Sequence, residues 1–242
     1  MTDIELIKKF VKVEEQEEAI KKLESGYPVQ YIIGNVDFYG NIIEVNENVL
    51  IPRFETEYLV EKTLNYLKKM NKCNLKILEI GTGSGCISIA LKKKIKCNID
   101  AIDISNRALT VAKNNAIKNN VYINFIECDI NNFETNEKYD LIISNPPYVP
   151  YTSIVDQKTK YEPQSAIFAQ ENGLYFYKII LEKIKNNLNK KYLIAFEIGD
   201  KEGNDIINIA NYYLPNAKVK LEYDYNNFDR YIFITNIKEI LD

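Results

Sequence analysis

Residues 139–148 read YDLIISNPPY: an apolar, β-branched run is followed at once by Asn145, Pro146, Pro147 and Tyr148. Such a run is typical of a buried strand, and two prolines cannot continue a strand ladder. The tetrapeptide is therefore predicted to form a rigid turn at the carboxyl end of a strand, where open α/β sheets bind their ligands. An Asn amide offers one acceptor and two donors and a Tyr ring offers a flat face, so this turn suits a small planar group.

Similar apolar runs recur on both sides of this turn and alternate with helical patterns. The predicted strands are LKILEI (75–80), NIDAIDI (98–104), VYINFIE (121–127), YDLIIS (139–144), YLIAFEI (192–198), AKVKLEY (217–223) and RYIFITN (230–236). The predicted helices between them cover residues 84–95, 105–119, 174–188 and 201–212. This alternation predicts an α/β fold with right-handed crossovers and a parallel sheet. Only residues 224–229 separate the last two strands, which are therefore predicted to form an antiparallel pair at the far edge of a seven-stranded sheet.

The chain before residue 75 is predicted to be a small addition to this sheet. Residues 3–25 show helical spacing and predict one or two short helices that end at Gly26. The segments YIIGNV, DFYG and NIIEV predict short strands of a β-hairpin, followed by an irregular loop and a helix to about Met70. The predicted organisation is a truncated N-terminal helical segment (1–26), a β-hairpin with its linker (27–54) and the α/β domain (55–242).

The composition is that of a soluble globular protein, and it excludes several kinds of chemistry. Of the 242 residues, 46% are hydrophobic and 27% are charged, and the net charge of −3 disfavours a protein that wraps a nucleic-acid backbone. The chain has no His, so histidine-dependent hydrolases and imidazole metal sites are excluded. Its four cysteines are scattered and no apolar run reaches membrane-span length, which together predict reduced thiols in a cytoplasmic protein.

A glycine-rich loop, Glu79-Ile80-Gly81-Thr82-Gly83-Ser84-Gly85, closes the first predicted strand of the sheet and opens the next helix. Glycines let a backbone pass close to a ligand, and a helix N-terminus favours a negatively charged group such as a carboxylate. The spacing is GxGxG, with Cys86 in the sixth place, and so differs from the GxGxxG fingerprint of dinucleotide sites. A tight turn without a ligand is the alternative, but three alternate glycines exceed what such a turn requires.

Acidic residues stand at the ends of the next two predicted strands. Asp103 ends the second strand, where a carboxylate can accept hydrogen bonds from both hydroxyls of a ribose. Asp129 ends the third strand and precedes Ile130, a usual place for contacts to the edge and face of adenine. Each acid alone could cap a helix, but three successive strand ends with suitable groups favour one shared ligand. This arrangement resembles the class I S-adenosylmethionine-dependent methyltransferases, which implies their Rossmann-like sheet with an antiparallel last strand.

With that cofactor, Asn145-Pro146-Pro147-Tyr148 resembles the (D/N)PPY motif of methyltransferases that act on planar nitrogen, in adenine, guanine or glutamine amides. An amide nitrogen is a poor nucleophile because its lone pair is delocalised. If the Asn145 side-chain oxygen and the Pro146 carbonyl each accept an N–H, the NH₂ group is oriented and its lone pair can meet the methyl group. Positioning and preorganised dipoles then provide the catalysis, without a strong base.

Further stretches are similar to motifs of the HemK/PrmC family, the release factor glutamine methyltransferases. They are PVQYIIG (28–34), FYG (38–40), LIPRFETE (50–57), YEP (161–163), GL (173–174) and EIG (197–199). The resemblance runs from about Gly26 to the C-terminus. It implies methylation of the glutamine amide in the Gly-Gly-Gln motif of class-1 peptide chain release factors. It also implies S-adenosylmethionine as methyl donor, S-adenosylhomocysteine as product and no metal, in a monomer without direct contact to nucleic acid or membrane.

The same resemblance implies roles for individual residues of this sequence. Those implied to hold the cofactor are Phe38, Glu79, Gly81, Thr82, Gly83, Ser84, Gly85, Asp103, Asp129, Ile130 and Asn145. Those implied to act in catalysis are Asn145, Pro146 and Tyr148, and those implied to bind the glutamine are Asn145, Pro146, Pro147, Tyr148 and Arg53. For Arg53, a salt bridge that only braces the loop is an equal alternative.

Two features depart from the family pattern. Phe54 stands where the family usually has Pro, and only about two predicted helices precede Gly26, where the family has a larger helical domain. The short N-terminus predicts weaker docking of the release factor with intact turnover. The open alternatives are a glutamine methyltransferase of a ribosomal protein, an adenine or guanine exocyclic-amine methyltransferase, and a non-catalytic binding module. Glu55-Thr56-Glu57 favours the release factor over the ribosomal protein as substrate. An adenine or guanine methyltransferase usually needs a target-recognition domain or a basic face for base flipping, and this sequence shows neither.

Overall fold

Short helices, a β-hairpin and one long helix precede the large sheet in the computed structural model, which describes residues 1–241. They are α1 (Asp3–Phe10), α2 (Gln16–Glu24), α3 (Val29–Ile33), β1 (Asn35–Phe38), β2 (Asn41–Glu44) and α4 (Phe54–Met70). Thr2 caps α1, since its hydroxyl accepts from the backbone N–H of Glu5 while the Glu5 carboxylate accepts from the Thr2 backbone N–H. The predicted N-terminal helices and hairpin are confirmed.

Strands and helices alternate through the rest of the chain. They are β3 (Leu75–Ile80), α5 (Cys86–Lys94), β4 (Cys97–Asp103), α6 (Asn106–Lys118), β5 (Asn124–Glu127), β6 (Tyr139–Ser144), β7 (Val149–Pro150), β8 (Phe168–Ala169), α7 (Tyr175–Ile184), β9 (Leu188–Glu197), α8 (Gly203–Tyr213), β10 (Lys218–Tyr223) and β11 (Asp229–Thr235). Ser105 caps α6, because its hydroxyl accepts from the backbone N–H of Ala108. The two-residue strands β7 and β8 pair only with each other.

The large sheet has seven strands in the order β10-β11-β9-β6-β3-β4-β5. The strands from β9 to β5 in that order are parallel, whereas β11 is antiparallel to both β9 and β10. The predicted seven-stranded Rossmann-like sheet with an antiparallel last strand is therefore confirmed. The last strand enters the sheet between β9 and β10, so β10 forms the edge. A short turn joins β10 to β11. This connection allows only antiparallel pairing, because parallel pairing would need a long crossover.

Helices cover both faces of this sheet, which explains the nearly continuous apolar runs of its central strands. In β3, Leu75 and Ile77 belong to a core shared with α4, α5 and α6, whereas Leu78 and Ile80 pack against α7 and α8. Successive side chains of a strand point to opposite faces, so one strand contributes to both cores. The hairpin joins the first core through Phe38.

The predicted strand YIIGNV is wrong in its first half, because Val29–Ile33 forms the helix α3. β-branched residues favour strands, but here Pro28 precedes the helix at its N-cap and Gly34 ends it with a φ of 79°. Val29 is fully buried in a cluster with Ile7 of α1. Tertiary burial therefore outweighs the local strand preference over this single turn.

All four cysteines carry free thiols. Burial raises the pKa of Cys86 to about 12 and that of Cys97 to about 11, which keeps both thiols protonated and unreactive at neutral pH. In the part of the chain that the structure describes, no helix is both long and apolar enough to cross a membrane.

The hairpin is tied to the glycine-rich loop by one side chain, that of Asn115 on α6. Its Oδ1 accepts from the backbone N–H of Glu44 on β2 at 2.7 Å, and its Nδ2 donates to the Glu44 carbonyl at 2.9 Å. The same Nδ2 donates to the carbonyl of Ser84 in the glycine-rich loop, also at 2.9 Å. Asn115 is fully buried, and of these three backbone groups the Ser84 carbonyl is buried while the two of Glu44 are partly buried.

We expect Asn115→Ala to lower the free energy of unfolding by about 1–3 kcal/mol, because it leaves the buried Ser84 carbonyl and the partly buried backbone groups of Glu44 without this partner. The matched control is Asn114→Ala, which changes an exposed Asn on the same helix and should shift stability by less than about 0.5 kcal/mol. Urea titration followed by circular dichroism measures both. Equal losses in the two variants would contradict the role of Asn115.

Candidate active site

The glycine-rich loop passes from the end of β3 to the start of α5 along the carboxyl edge of the sheet. The backbone N–H groups of Gly81 and Thr82 both donate to the carbonyl of Ile102 on β4, at 2.9 and 3.0 Å. Gly81 and Gly83 have φ angles of 71° and 54°, a region that is strained for other L residues. A Cβ atom on either glycine would meet no atom within 4 Å, so the loop faces open space.

Glu79 lies behind this loop and holds it to α5. Its Oε2 accepts from the Thr82 hydroxyl at 2.8 Å and from both the backbone N–H and the hydroxyl of Ser88. The side chain is buried, and its Oε1 has no hydrogen-bond partner among the described residues. Burial raises the pKa of Glu79 to about 7, although the three hydrogen bonds act in the opposite direction.

Asp103 joins the glycine-rich loop to the start of α6. Its Oδ2 accepts from the backbone N–H of Gly83 at 2.8 Å, and its Oδ1 accepts from the backbone N–H of Ser105 at 2.9 Å. Burial raises the pKa of this carboxyl, while the backbone donors lower it. Each carboxylate oxygen has further lone-pair capacity, so Asp103 can accept from a ligand as well.

Asp129 and Ile130 follow β5 and open a short 3₁₀-helix, Ile130–Asn132. The Asp129 Oδ1 accepts from both the backbone and the side-chain N–H of Asn131, each at 2.9 Å. The Tyr175 hydroxyl donates to Asn131 Oδ1 at 2.7 Å and so fixes the same turn to α7. Only one oxygen of Asp129 is used in this way.

A cavity of about 280 Å³, called here the strand-end cavity, lies over the carboxyl ends of β3, β4, β5 and β6. Of the residues implied to hold the cofactor, those that line it are Gly81, Gly83, Asp103, Asp129, Ile130 and Asn145. Those that the structure places outside its lining are Phe38, Glu79, Thr82, Ser84 and Gly85. Phe38 is fully buried in the first core, apart from the others. The structure thus brings together the acids and glycines of three strand ends.

A second cavity of about 230 Å³, called here the NPPY cavity, lies next to the first. Five residues line both cavities, Leu50, Asn145, Pro146, Pro147 and Ala166, and the tripeptide Asn145-Pro146-Pro147 is called here the wall between them. Tyr148 and Arg53 line only the NPPY cavity. The residues implied to bind the glutamine therefore all line the NPPY cavity, whereas Asp103 and Asp129 line the strand-end cavity alone.

The Asn145 side chain is held by two residues from distant parts of the chain. Its Nδ2 donates to the Thr56 hydroxyl of α4 at 3.1 Å, and that hydroxyl donates to Oε2 of Glu197, the last residue of β9, at 2.7 Å. The Tyr148 hydroxyl lies 3.4 Å from the other Glu197 oxygen. Burial raises the pKa of Glu197 to about 7. Thr56 and Glu197 belong to the LIPRFETE and EIG motifs, but the sequence alone assigns neither of them a role in the site.

Arg53 forms an ion pair with the buried carboxylate of Glu162, whose other oxygen accepts from the backbone N–H of Ile51 at 2.9 Å. This pair braces the loop before α4 against the segment after β7. Since Arg53 also lines the NPPY cavity and is 40% exposed, its guanidinium keeps donors available on that side. Across residues 1–241, no group of three or more Cys, Asp or Glu side chains is arranged to hold a metal ion.

Residues 57–170 match the family described as the Methyltransferase small domain. A release factor glutamine methyltransferase of Bacillus anthracis is 38% identical over 223 residues, which cover 89% of this chain and 79% of the relative. A protein of the same name from Flavobacterium psychrophilum is 42% identical over 204 residues, which cover 81% of this chain and 72% of the relative.

Among solved structures, the fold is similar to that of the protein-(glutamine-N5) methyltransferase (release factor-specific) from Alicyclobacillus acidocaldarius. The TM-score is 0.50 at 24% identity, and the match covers 79% of this chain and 98% of that chain. This similarity supports the methyltransferase fold, while the sequence relatives establish the family. The chain belongs to the release factor glutamine methyltransferase family.

Proposed function

We propose that the protein transfers a methyl group from S-adenosylmethionine to the side-chain amide nitrogen (N5) of the glutamine in the Gly-Gly-Gln motif of a class-1 peptide chain release factor. The observation that carries this proposal is the wall of Asn145, Pro146 and Pro147 between the two cavities. One cavity has the acids and open glycines that suit a nucleoside, and the other has the groups that suit an amide. Relatives at 38–42% identity bear the name of this activity.

The residues of the strand-end cavity fit S-adenosylmethionine, which is an adenosine joined to methionine through a positively charged sulfonium. Asp103 and Asp129 offer carboxylate oxygens to the ribose hydroxyls and the adenine amino group, and Ile130 offers an apolar surface to the ring. The open side of Gly81 and Gly83 leaves room for the methionine part. When bound, S-adenosylmethionine supplies an electrophilic methyl group. A metal has no role in this proposal.

In the NPPY cavity, groups of the chain orient the acceptor amide. Asn145 Oδ1 and the Pro146 carbonyl each accept one N–H of the glutamine side chain. These two hydrogen bonds lie in the amide plane, so they raise the electron density on nitrogen and leave the lone pair, perpendicular to that plane, free to react. The Tyr148 ring covers one face of the amide. Once the methyl group has been transferred, the amide nitrogen is strongly acidic and gives its surplus proton to water. The preorganised acceptors therefore require no strong base, which agrees with a chain that has no His.

The proposed partner is therefore a protein, the class-1 release factor, and the enzyme is proposed to act as a cytoplasmic monomer without direct contact to nucleic acid or membrane. A net charge of −3 supports the absence of a nucleic-acid partner. In this proposal, residues 55–242 form the domain that carries out methyl transfer, residues 27–54 form the hairpin and linker, and residues 1–26 form a short segment that helps to dock the release factor.

The direct experiment is methyl transfer from labelled S-adenosylmethionine to a purified class-1 release factor, beside the same factor with its motif Gln changed to Ala. We expect label on the first protein and none on the second, which would establish reaction and residue together. Label on neither factor, but on a ribosomal protein or RNA in a parallel assay, would contradict the proposed substrate.

We expect Asn145→Ala to lower kcat for release factor methylation about 5- to 150-fold. The substitution leaves one N–H of the substrate's glutamine amide without a hydrogen-bond partner, which costs about 1–3 kcal/mol of transition-state stabilisation. Binding of S-adenosylhomocysteine, measured by calorimetry, should change little. Tyr148→Phe keeps the ring and is the matched comparison, with an expected change of less than about threefold because its hydroxyl contact is long, at 3.4 Å. A wild-type rate in Asn145→Ala would refute this role of Asn145.

We expect Asp103→Asn to weaken binding of S-adenosylhomocysteine about tenfold, because a charged acceptor for the ribose is lost. The loss should be smaller for an analogue with a 2′-deoxyribose, since the hydroxyl that pairs with Asp103 is then absent. Asp205→Asn, on the exposed start of α8, is the control and should bind like wild type. Equal losses for both ligands in Asp103→Asn would show that Asp103 acts only by bracing the loop.

A further inference from the structure

The structure assigns Thr56 and Glu197 a positioning role in the proposed reaction: together they fix which end of the Asn145 side-chain amide faces the acceptor. This inference rests on the proposed function, since it concerns the amide that is to hold the glutamine. It adds two residues, one from α4 and one from β9, to the turn that the NPPY motif supplies.

The three side chains are brought together by the fold. β9 lies beside β6 with Phe196 opposite Ser144, so Glu197 and Asn145 emerge next to each other at the carboxyl edge. Thr56 lies in the first turn of α4, which packs on β9. Thr56 and Glu197 are 2% and 1% exposed, so water does not compete for their hydrogen bonds.

The single hydroxyl proton of Thr56 determines the orientation of the Asn145 side-chain amide. A Thr hydroxyl has one proton, and here Thr56 gives it to Glu197 Oε2 at 2.7 Å. The hydroxyl oxygen can then only accept, so the Asn145 group 3.1 Å away must be the Nδ2 donor. Oδ1 of Asn145 consequently points away from Thr56 and is free to accept a hydrogen bond from the glutamine amide of the substrate. A flipped Asn145 side chain would place its Oδ1 against the Thr56 hydroxyl oxygen, so that two hydrogen-bond acceptors would face each other. It would also present its NH₂ group, and not its oxygen, to the glutamine amide of the substrate.

The direction of this chain of hydrogen bonds depends on the charge of Glu197. An ionised carboxylate only accepts, whereas a protonated one can donate to Thr56 and release the hydroxyl proton toward Asn145 Oδ1. Burial raises the pKa of Glu197 to about 7, against hydrogen bonds from Thr56 and Tyr148 and the charge of Arg230, while Glu55 adds to the rise. The titratable groups around Glu197 are Glu55, Cys86, Tyr148, Tyr177, Arg230 and Tyr231.

The decisive variants are Thr56→Val, which keeps the shape of the side chain but removes the hydroxyl, and Thr56→Ser, which keeps the hydroxyl. In single-turnover methylation of the release factor, we expect Thr56→Val to react at least about tenfold more slowly and Thr56→Ser within about threefold of wild type. Affinity for S-adenosylhomocysteine should be unchanged in both. Equal rates in the two variants would overturn the inference.

Thr63→Val is the matched control on the same helix. Thr63 is also fully buried, but its hydroxyl has no hydrogen-bond partner among the described residues. Removing that hydroxyl should leave the methylation rate at the wild-type value. A rate loss in Thr63→Val as large as that in Thr56→Val would mean that any buried change in α4 impairs the enzyme, and would contradict a specific role of Thr56.

The pH profile supplies a readout that a merely structural link between α4 and β9 would not change. The wild-type single-turnover rate should rise with pH through about 7, as Glu197 ionises and the chain of hydrogen bonds takes its productive direction. Glu197→Gln cannot ionise and should lose this rise. An unchanged rise in Glu197→Gln would overturn the inference even if Thr56→Val failed to fold. Absence of transfer by the wild type would instead refute the proposed function.

Discussion

The candidate site depends on one constraint, the parallel hydrogen-bonded ladder that joins β4, β3, β6 and β9. In its register, Ile80 pairs with both Ile102 and Ser144, and Ser144 pairs with Phe196. Parallel strands end at the same edge of a sheet, so the residues that follow these four positions must emerge side by side. The glycine loop, Asp103, Asn145 and Glu197 are neighbours for this reason, although they are far apart in the sequence.

Much of this arrangement is predictable from the sequence, because it follows from the alternation of strand and helix patterns and from the residue types that stand at the strand ends. The strands LKILEI and YDLIIS have the predicted bounds, and the cavity-lining Asp103, Asp129 and Asn145 stand at strand ends as predicted. The helix α3 was not predictable, since its β-branched residues are held in a helical turn by burial. The Thr56–Glu197 contact was not predictable either, because it spans 141 residues of sequence and depends on how α4 packs over β9.

Buried carboxylates recur around this edge of the sheet, at Glu79, Glu162 and Glu197. Removing such a group from water is costly unless donors replace the lost hydration. Each of the three receives donors from a different element: Glu79 from α5, Glu162 from Arg53 and a backbone N–H, and Glu197 from α4. The carboxylates therefore join separate elements around the site, although the raised pKa values of Glu79 and Glu197 indicate that their hydrogen bonds offset the cost of burial only in part.

The two sides of the tripeptide wall differ in origin. The strand-end cavity is lined mainly by residues at the ends of the parallel ladder, with Pro163, Ser165 and Ala166 added from the long segment after β6. The same segment supplies a larger share of the NPPY cavity, including Val155, Thr159 and Ile167. That segment adds no strand to the large sheet, so its sequence can change without disturbing the ladder. Substitutions in that segment are therefore expected to alter the NPPY cavity more than the strand-end cavity.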